Sequence, residues 1–168
     1  MTTQEVNLKI HEESDLYSPY DPKQKLLSED VLSHLERNYI NKHRSIGERF
    51  VLHIYSDTPL NEKDVVSSFS DYYSQEIENL SYQIKKLTGK QIGLIIFGVV
   101  FLSLWVYLSL IMDDAVKLEI VSIMGWVAIW EATSISIMQR PELVAMKKNY
   151  EQLLKGKIIF HVEADHVS

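Results

Sequence analysis

Two long apolar runs, residues 92–112 and 120–138, stand in a chain of 168 residues that has no other stretch of comparable length. The first, IGLIIFGVVFLSLWVYLSLIM, carries no charge. Its roughly 20 residues, at about 1.5 Å each, match a hydrocarbon core of about 30 Å, so it is expected to span a membrane. The second, IVSIMGWVAIWEATSISIM, contains Glu131 and several hydroxyl residues, which weaken its insertion alone and call for a partner helix. The net-acidic segment 113–119, DDAVKLE, is too short to hold a domain, so both spans should return the chain to the same side. The expected fold class is an α+β membrane protein: a two-helix transmembrane hairpin, a cytoplasmic helical stalk, and a small three-stranded α/β domain built from both termini.

Orientation follows from basic residues near the ends of the runs. Lys85, Lys86 and Lys90 precede the first and Arg140, Lys147 and Lys148 follow the second, whereas the connecting loop has only Lys117. The positive-inside rule then puts both termini in the cytoplasm. The start, MTTQEVNLKIHEES, has no basic segment followed by an apolar core, so the first span is expected to direct its own insertion. With 0 Cys, disulfides and thiolate metal sites are excluded. A formal charge of −6 with no basic face argues against nucleic acid as a partner.

Three short stretches rich in β-branched and aromatic residues read as strands: 5–11, 50–56 and 157–163. The last comes from the far end of the chain, so the two terminal pieces are expected to share one sheet. Between them, a helix over 28–41 has a Ser cap, Glu29 and Asp30 in its first turn, and Val31, Leu32, Leu35 and Tyr39 at helical spacing. Residues 15–22, DLYSPYDP, are expected to form an ordered non-helical loop. A longer helix begins near Asn61, with Val66, Phe69, Tyr73, Ile77, Leu80, Ile84 and Leu87 stepping by three and four, and runs into the first span. After the second span, Pro141 can open a helix that continues through Leu143, Met146, Tyr150 and Leu153 to Gly156. The seams of these stalk helices can pack within one subunit or join subunits. The expected division is thus a cytoplasmic α/β part over 1–60, a stalk helix over 61–91, the spans 92–112 and 120–138 around an external loop 113–119, a cytoplasmic helix over 139–156, and a strand segment 157–168.

Glu131 is the most suggestive single residue. A charged group deep in a span costs roughly 2.5–3.5 kcal/mol on insertion scales, so it faces a protein interior or a water path. With Thr133 and Ser134 beside it, and Asp113 and Asp114 at the far mouth, it reads as a carboxylate lining a pore, as a hydrogen-bonded group inside the bundle, or as a group brought to the membrane interface by tilting. Gly125, Ala128, Ala132 and Ser136 form a small-residue strip suited to close helix packing. His11, His53 and His161 occupy similar places in the three strands, and if register brings them to one face they form a candidate metal or anion site. No phosphate-binding loop, nucleophile elbow or paired Cys motif is present. Neither an enzyme nor a cofactor is expected.

The loop Leu16-Tyr17-Ser18-Pro19-Tyr20-Asp21-Pro22 and the stretch Gly125-Trp126-Val127-Ala128-Ile129-Trp130 resemble an uncharacterised family of small two-span bacterial membrane proteins. That family has an aromatic-Asn-Pro-aromatic-Asp-Pro loop and a Gly-Trp-x-Ala-x-Trp motif in the second span. Ser18 stands where the family has Asn, and Ala132 where it often has Pro, which leaves the second helix continuous. The resemblance implies the architecture and a bacterial inner membrane, and no activity. Two functions follow as expectations: a self-associating membrane effector or ion channel with a cytoplasmic sensing domain, or a non-conducting anchor presenting an α/β domain to a protein partner. The expected partners are the lipid bilayer, further copies of the chain, and a cytoplasmic protein or small-molecule signal.

Overall fold

The computed structural model describes residues 3–21, 25–39, 49–111 and 115–162. Strand β1 (Thr3–Ile10) is followed by a 3-10 turn (Glu13–Leu16), helix α1 (Glu29–Tyr39), strand β2 (Arg49–Ser56) and the long helix α2 (Glu62–Ser109). Helix α3 (Ala115–Ser134), a π turn (Ile135–Gln139), helix α4 (Arg140–Leu154) and strand β3 (Lys157–Val162) complete the order. The chain divides into two compact units, 1–78 with 146–168, and 79–145.

The first unit is built on a three-stranded sheet of order β1-β2-β3, parallel throughout. Both connections are therefore crossovers, one through α1 and the other through α2, α3 and α4. Period-two alternation sorts the side chains: Val6, Leu8, Leu52 and Ile54 are buried on one face, while Glu5, Asn7 and Lys9 point to the other and are exposed. The core also contains Leu35 of α1, Val65 and Phe69 of α2, and Tyr150 and Leu153 of α4. Helix α1 is tied to α4 by two hydrogen bonds. The Tyr150 hydroxyl donates to Glu36 Oε1 and the Tyr39 hydroxyl to Gln152 Oε1, both at 2.9 Å. Burial pushes the phenols of Tyr73 and Tyr150 above their ordinary range, so both stay protonated at physiological pH.

The loop before α1 is ordered by its own polar groups. The Asp21 carboxylate accepts the N–H groups of Lys25 and Leu26 at 2.8 and 2.9 Å. Leu16 is fully buried, and Tyr17 bridges to Leu27. Asp15 and Leu16 close the 3-10 turn, where the sequence reading had a non-helical loop. The Ser28 hydroxyl accepts the Val31 N–H at 3.3 Å, which caps α1. The α1 end beyond Tyr39, Pro22 in the loop, and the strand residue Glu163 lie outside the described residues.

The buried seam of α2 in this unit is Val65, Phe69 and Tyr73, with Val66 43% exposed. It begins one residue earlier than the spacing predicts, because a four-residue step from Val65 reaches the same Phe69.

In the second unit α2 and α3 form a helical hairpin whose closest approach is set by two glycines. A Cβ on Gly98 would lie 2.7 Å from Ile129 Cδ1, and one on Gly125 would lie 2.8 Å from Leu102 Cγ. Helix α3 already begins at Ala115, so residues 115–119 belong to it rather than to a connecting loop. Toward its end the helix widens into the π turn, where the Arg140 N–H donates to Ile135 O, and α4 follows without a break. Pro141 explains this turn: it lacks an N–H, and its ring collides with the carbonyl four residues back in a regular helix. Pro141 therefore stands in the first turn of α4, within one continuous run of helix. The two helices that contain the apolar runs are long and apolar enough to cross a membrane, and only 6% of the most apolar window in α2 and 22% of that in α3–α4 is buried by the protein itself.

Candidate functional site

Three clusters collect the polar residues singled out in the sequence. The first lies in the hairpin. Lys90 Nζ donates to Glu131 Oε1 at 3.0 Å, and both side chains are about half exposed. The glycine contacts explain the pairing. With Gly98 against Ile129 and Leu102 against Gly125, position 131 falls level with residues 94 to 96, roughly one turn inside the apolar run that starts at Ile92. A lysine one turn earlier reaches that level because its stem is long and flexible. Glu131 is therefore near the end of the run from which Lys90 approaches. In the sequence Lys90 stands only as an orientation charge; its pairing depends on hairpin register, which periodicity does not encode.

The hydroxyls near Glu131 are satisfied within their own helix. Thr133 Oγ1 donates to Ile129 O at 2.9 Å, and Ser134 Oγ lies 3.9 Å from Met138 Sδ. Of the proposed packing strip, Gly125, Ala128 and Ala132 are buried, but Ser136 is exposed on the π turn and Ile135 is fully buried in its place. The steps from Gly125 through Ala128 and Ala132 continue by three residues to Ile135, which leaves Ser136 off the buried strip. Asp113 and Asp114 lie outside the described residues.

The second cluster is on the polar face of the sheet. His53 Nδ1 and His161 Nε2 are 2.9 Å apart. Register makes this a diagonal contact between neighbouring strands, since His53 pairs with Ile159 and Tyr55 with His161. Tyr55 stacks on His161 with ring centroids 4.6 Å apart and planes within 13°. His53 Nε2 lies 4.0 Å from Glu5 Oε2 and is a buried ring nitrogen with no hydrogen-bond partner.

His11 does not join them. It lies beyond the end of β1, where its Nδ1 is 2.7 Å from Asp57 Oδ2 at the end of β2. The expectation of three gathered imidazoles thus resolves into one pair and one separate His-Asp contact. Among the described residues, no three His, Asp, Glu or Cys side chains converge as a metal-binding group.

The hydrogen bond and charge of Asp57 hold the His11 pKa above its ordinary 6.5. The contact's stabilisation is therefore complete below 6.5 and is lost as pH rises through the raised value. In an NMR titration, Asp57→Asn is expected to lower the His11 midpoint toward the ordinary value. An unchanged midpoint would mean that the contact is not made in solution.

The third cluster lines an open groove of about 1080 Å³ beside β1 and α1. Lys9, His11 and His34 line it together with Asp15, Asp21 and Asp30, so the groove has no dominant charge and specifies no single ligand chemistry.

No family model, curated protein or solved structure matches this chain.

Proposed function

We propose that this chain is a two-span protein of the bacterial inner membrane, with both termini cytoplasmic, whose hairpin anchors the parallel-sheet module and presents it to a cytoplasmic protein partner. The observation that carries this reading is the uncovered apolar surface of the hairpin. Most of the large exposed apolar residues lie between Ile92 and Met138, among them Trp105, Trp126 and Trp130. Hydrating each would forgo roughly 1.5–3 kcal/mol, a sum well beyond the net stability of about 5–15 kcal/mol of a typical domain. Lipid is the solvent that resolves the difference.

The ion pair favours an anchor over a channel. A carboxylate that meets a lysine within its own hairpin needs no water path, and the pair lies close to the polar end of the run, where the cost of a charge is low. The likeness to the two-span family, carried by the Gly125-to-Trp130 motif, agrees with this architecture.

The test uses liposomes holding full-length protein with a single introduced Cys, which is unique in a chain with 0 native Cys. Tyr20→Cys and Val116→Cys are expected to react with an impermeant maleimide from opposite sides of the bilayer, and the wild-type protein should give no ion flux. Labelling of both from the same side would overturn the topology. Flux that Glu131→Gln alters would replace the anchor with the conducting, self-associated form.

A further inference from the structure

We propose that His53 and His161 form a two-imidazole site for a divalent transition metal of the zinc and copper class, with its remaining coordination positions open to water or to an outside ligand. The proposal rests on the sheet alone and holds whether the hairpin anchors or conducts. Imidazole nitrogen is a preferred donor for these ions. Nδ1 of His53 and Nε2 of His161 already face one another at 2.9 Å. In a tetrahedral complex with metal–nitrogen bonds of about 2.0–2.1 Å, the two nitrogens would be about 3.3 Å apart. The rings lie nearly in one plane with centroids 5.2 Å apart, so the two nitrogens meet head-on, and the ring axes must turn by roughly 70° relative to one another before both lone pairs converge at the tetrahedral angle. Side-chain torsions supply that turn while the β2–β3 ladder holds the backbone, and the ring of His161 turns against its stack on Tyr55.

The outer nitrogen of His53 supplies a second, independent observation. A metal-bound imidazole donates its remaining N–H to a carboxylate or carbonyl, which fixes the tautomer. His53 Nε2 is buried without a hydrogen-bond partner, and the group beside it is the Glu5 carboxylate at 4.0 Å. In the metal-free pair, one ring nitrogen of the 2.9 Å contact carries a proton. Metal binding needs both lone pairs, so that proton transfers through water to the outer nitrogen of its ring. When the ring is His53, the new N–H faces Glu5. The proton moves within one ring, so the rearrangement itself adds and removes none. For that tautomer the chemistry converts a buried nitrogen without a hydrogen-bond partner into an N–H donor 4.0 Å from a carboxylate; when the ring is His161, His53 already carries its proton on Nε2.

Such an ion would join β2 to β3, and so connect strands separated by the whole hairpin. The test uses untagged full-length protein in detergent micelles, titrated with Zn²⁺. One ion is expected to bind per chain, with a rise in the thermal midpoint of the module. Either His53→Gln or His161→Gln should weaken binding by more than the roughly 10–100-fold typical of losing an outer partner, Glu5→Gln should weaken it by an amount in that range, and His11→Gln should leave it unchanged. Copper added to the wild type should show two imidazole nitrogens by electron paramagnetic resonance, a readout that needs no variant to fold. Absence of saturable binding, wild-type affinity in both His53→Gln and His161→Gln, or a copper signal without two imidazoles would each overturn the assignment.

Discussion

A chain that ends at Leu154 is expected to lose its folded module, although everything removed lies after the last helix. Without β3 the sheet is a two-stranded parallel pair, which is marginal in water. The truncation removes the ladder partners of residues Val51 to Ser56 and takes away Ile158 and Phe160, half-buried beside Leu52 and Ile54 on the apolar face. The loss is several kcal/mol, set against a net stability of about 5–15 kcal/mol for a domain. It should appear as rapid proteolysis within residues 1–60 and loss of amide protection in β1. A module as resistant as the full-length one would show that β3 is a loose addition rather than part of the fold.

The second large effect belongs to the hairpin. Gly98→Leu is expected to destabilise the packing of α2 on α3, because even its Cβ would meet Ile129 Cδ1 at 2.7 Å and the backbone oxygen of Gly125 at 3.1 Å. Ile129 can rotate, but the carbonyl cannot move without shifting α3. Overpacking of this kind costs about 1–3 kcal/mol, and the backbone contact puts it at the upper end. Gly93→Ala is the control, since its Cβ meets nothing within 4 Å and the helix gains about 0.5–1 kcal/mol from losing a glycine. Denaturation in mixed micelles, followed by a disulfide introduced across the hairpin, should separate the two variants in opposite directions. Equal stability of both would show that the glycines do not set the helix separation.

These two effects also mark how far the sequence alone leads. The apolar runs, the three strands and the capped helices are local signals, and each lies within a few residues of its expected place. Seams are less certain: Val65 and Val66 both satisfy a helical step to Phe69, so only packing selects Val65. The parallel order of the sheet is a long-range property that alternation does not specify, and with it the meeting of His53 and His161 remained conditional on register. The Lys90–Glu131 pair was hidden for the same reason. Its geometry is set by Gly98 and Gly125; Gly125 belongs to the packing strip legible in the sequence, whereas the role of Gly98 becomes visible only when the two helices are placed side by side. Pro141 stands in the first turn of α4, where its chemistry favours it, and what the sequence does not show is the π turn that joins α3 to α4 without a break.

The placement of β2 at the centre of a parallel sheet, with both apolar runs between it and β3, fixes an order of events during synthesis. Strands β1 and β2 leave the ribosome early and must wait, because their third partner emerges only after both runs have been translated. If the hairpin enters the bilayer as proposed, β3 reaches β2 only when the second run has brought the chain back across. A chain that crosses once, or in the wrong direction, strands β3 in the other compartment. The open edge of β2 then remains as a mark of failed insertion, available to chaperones and proteases on the cytoplasmic side. Closure of the sheet would thus report, from within the chain itself, that the membrane segment has been correctly installed.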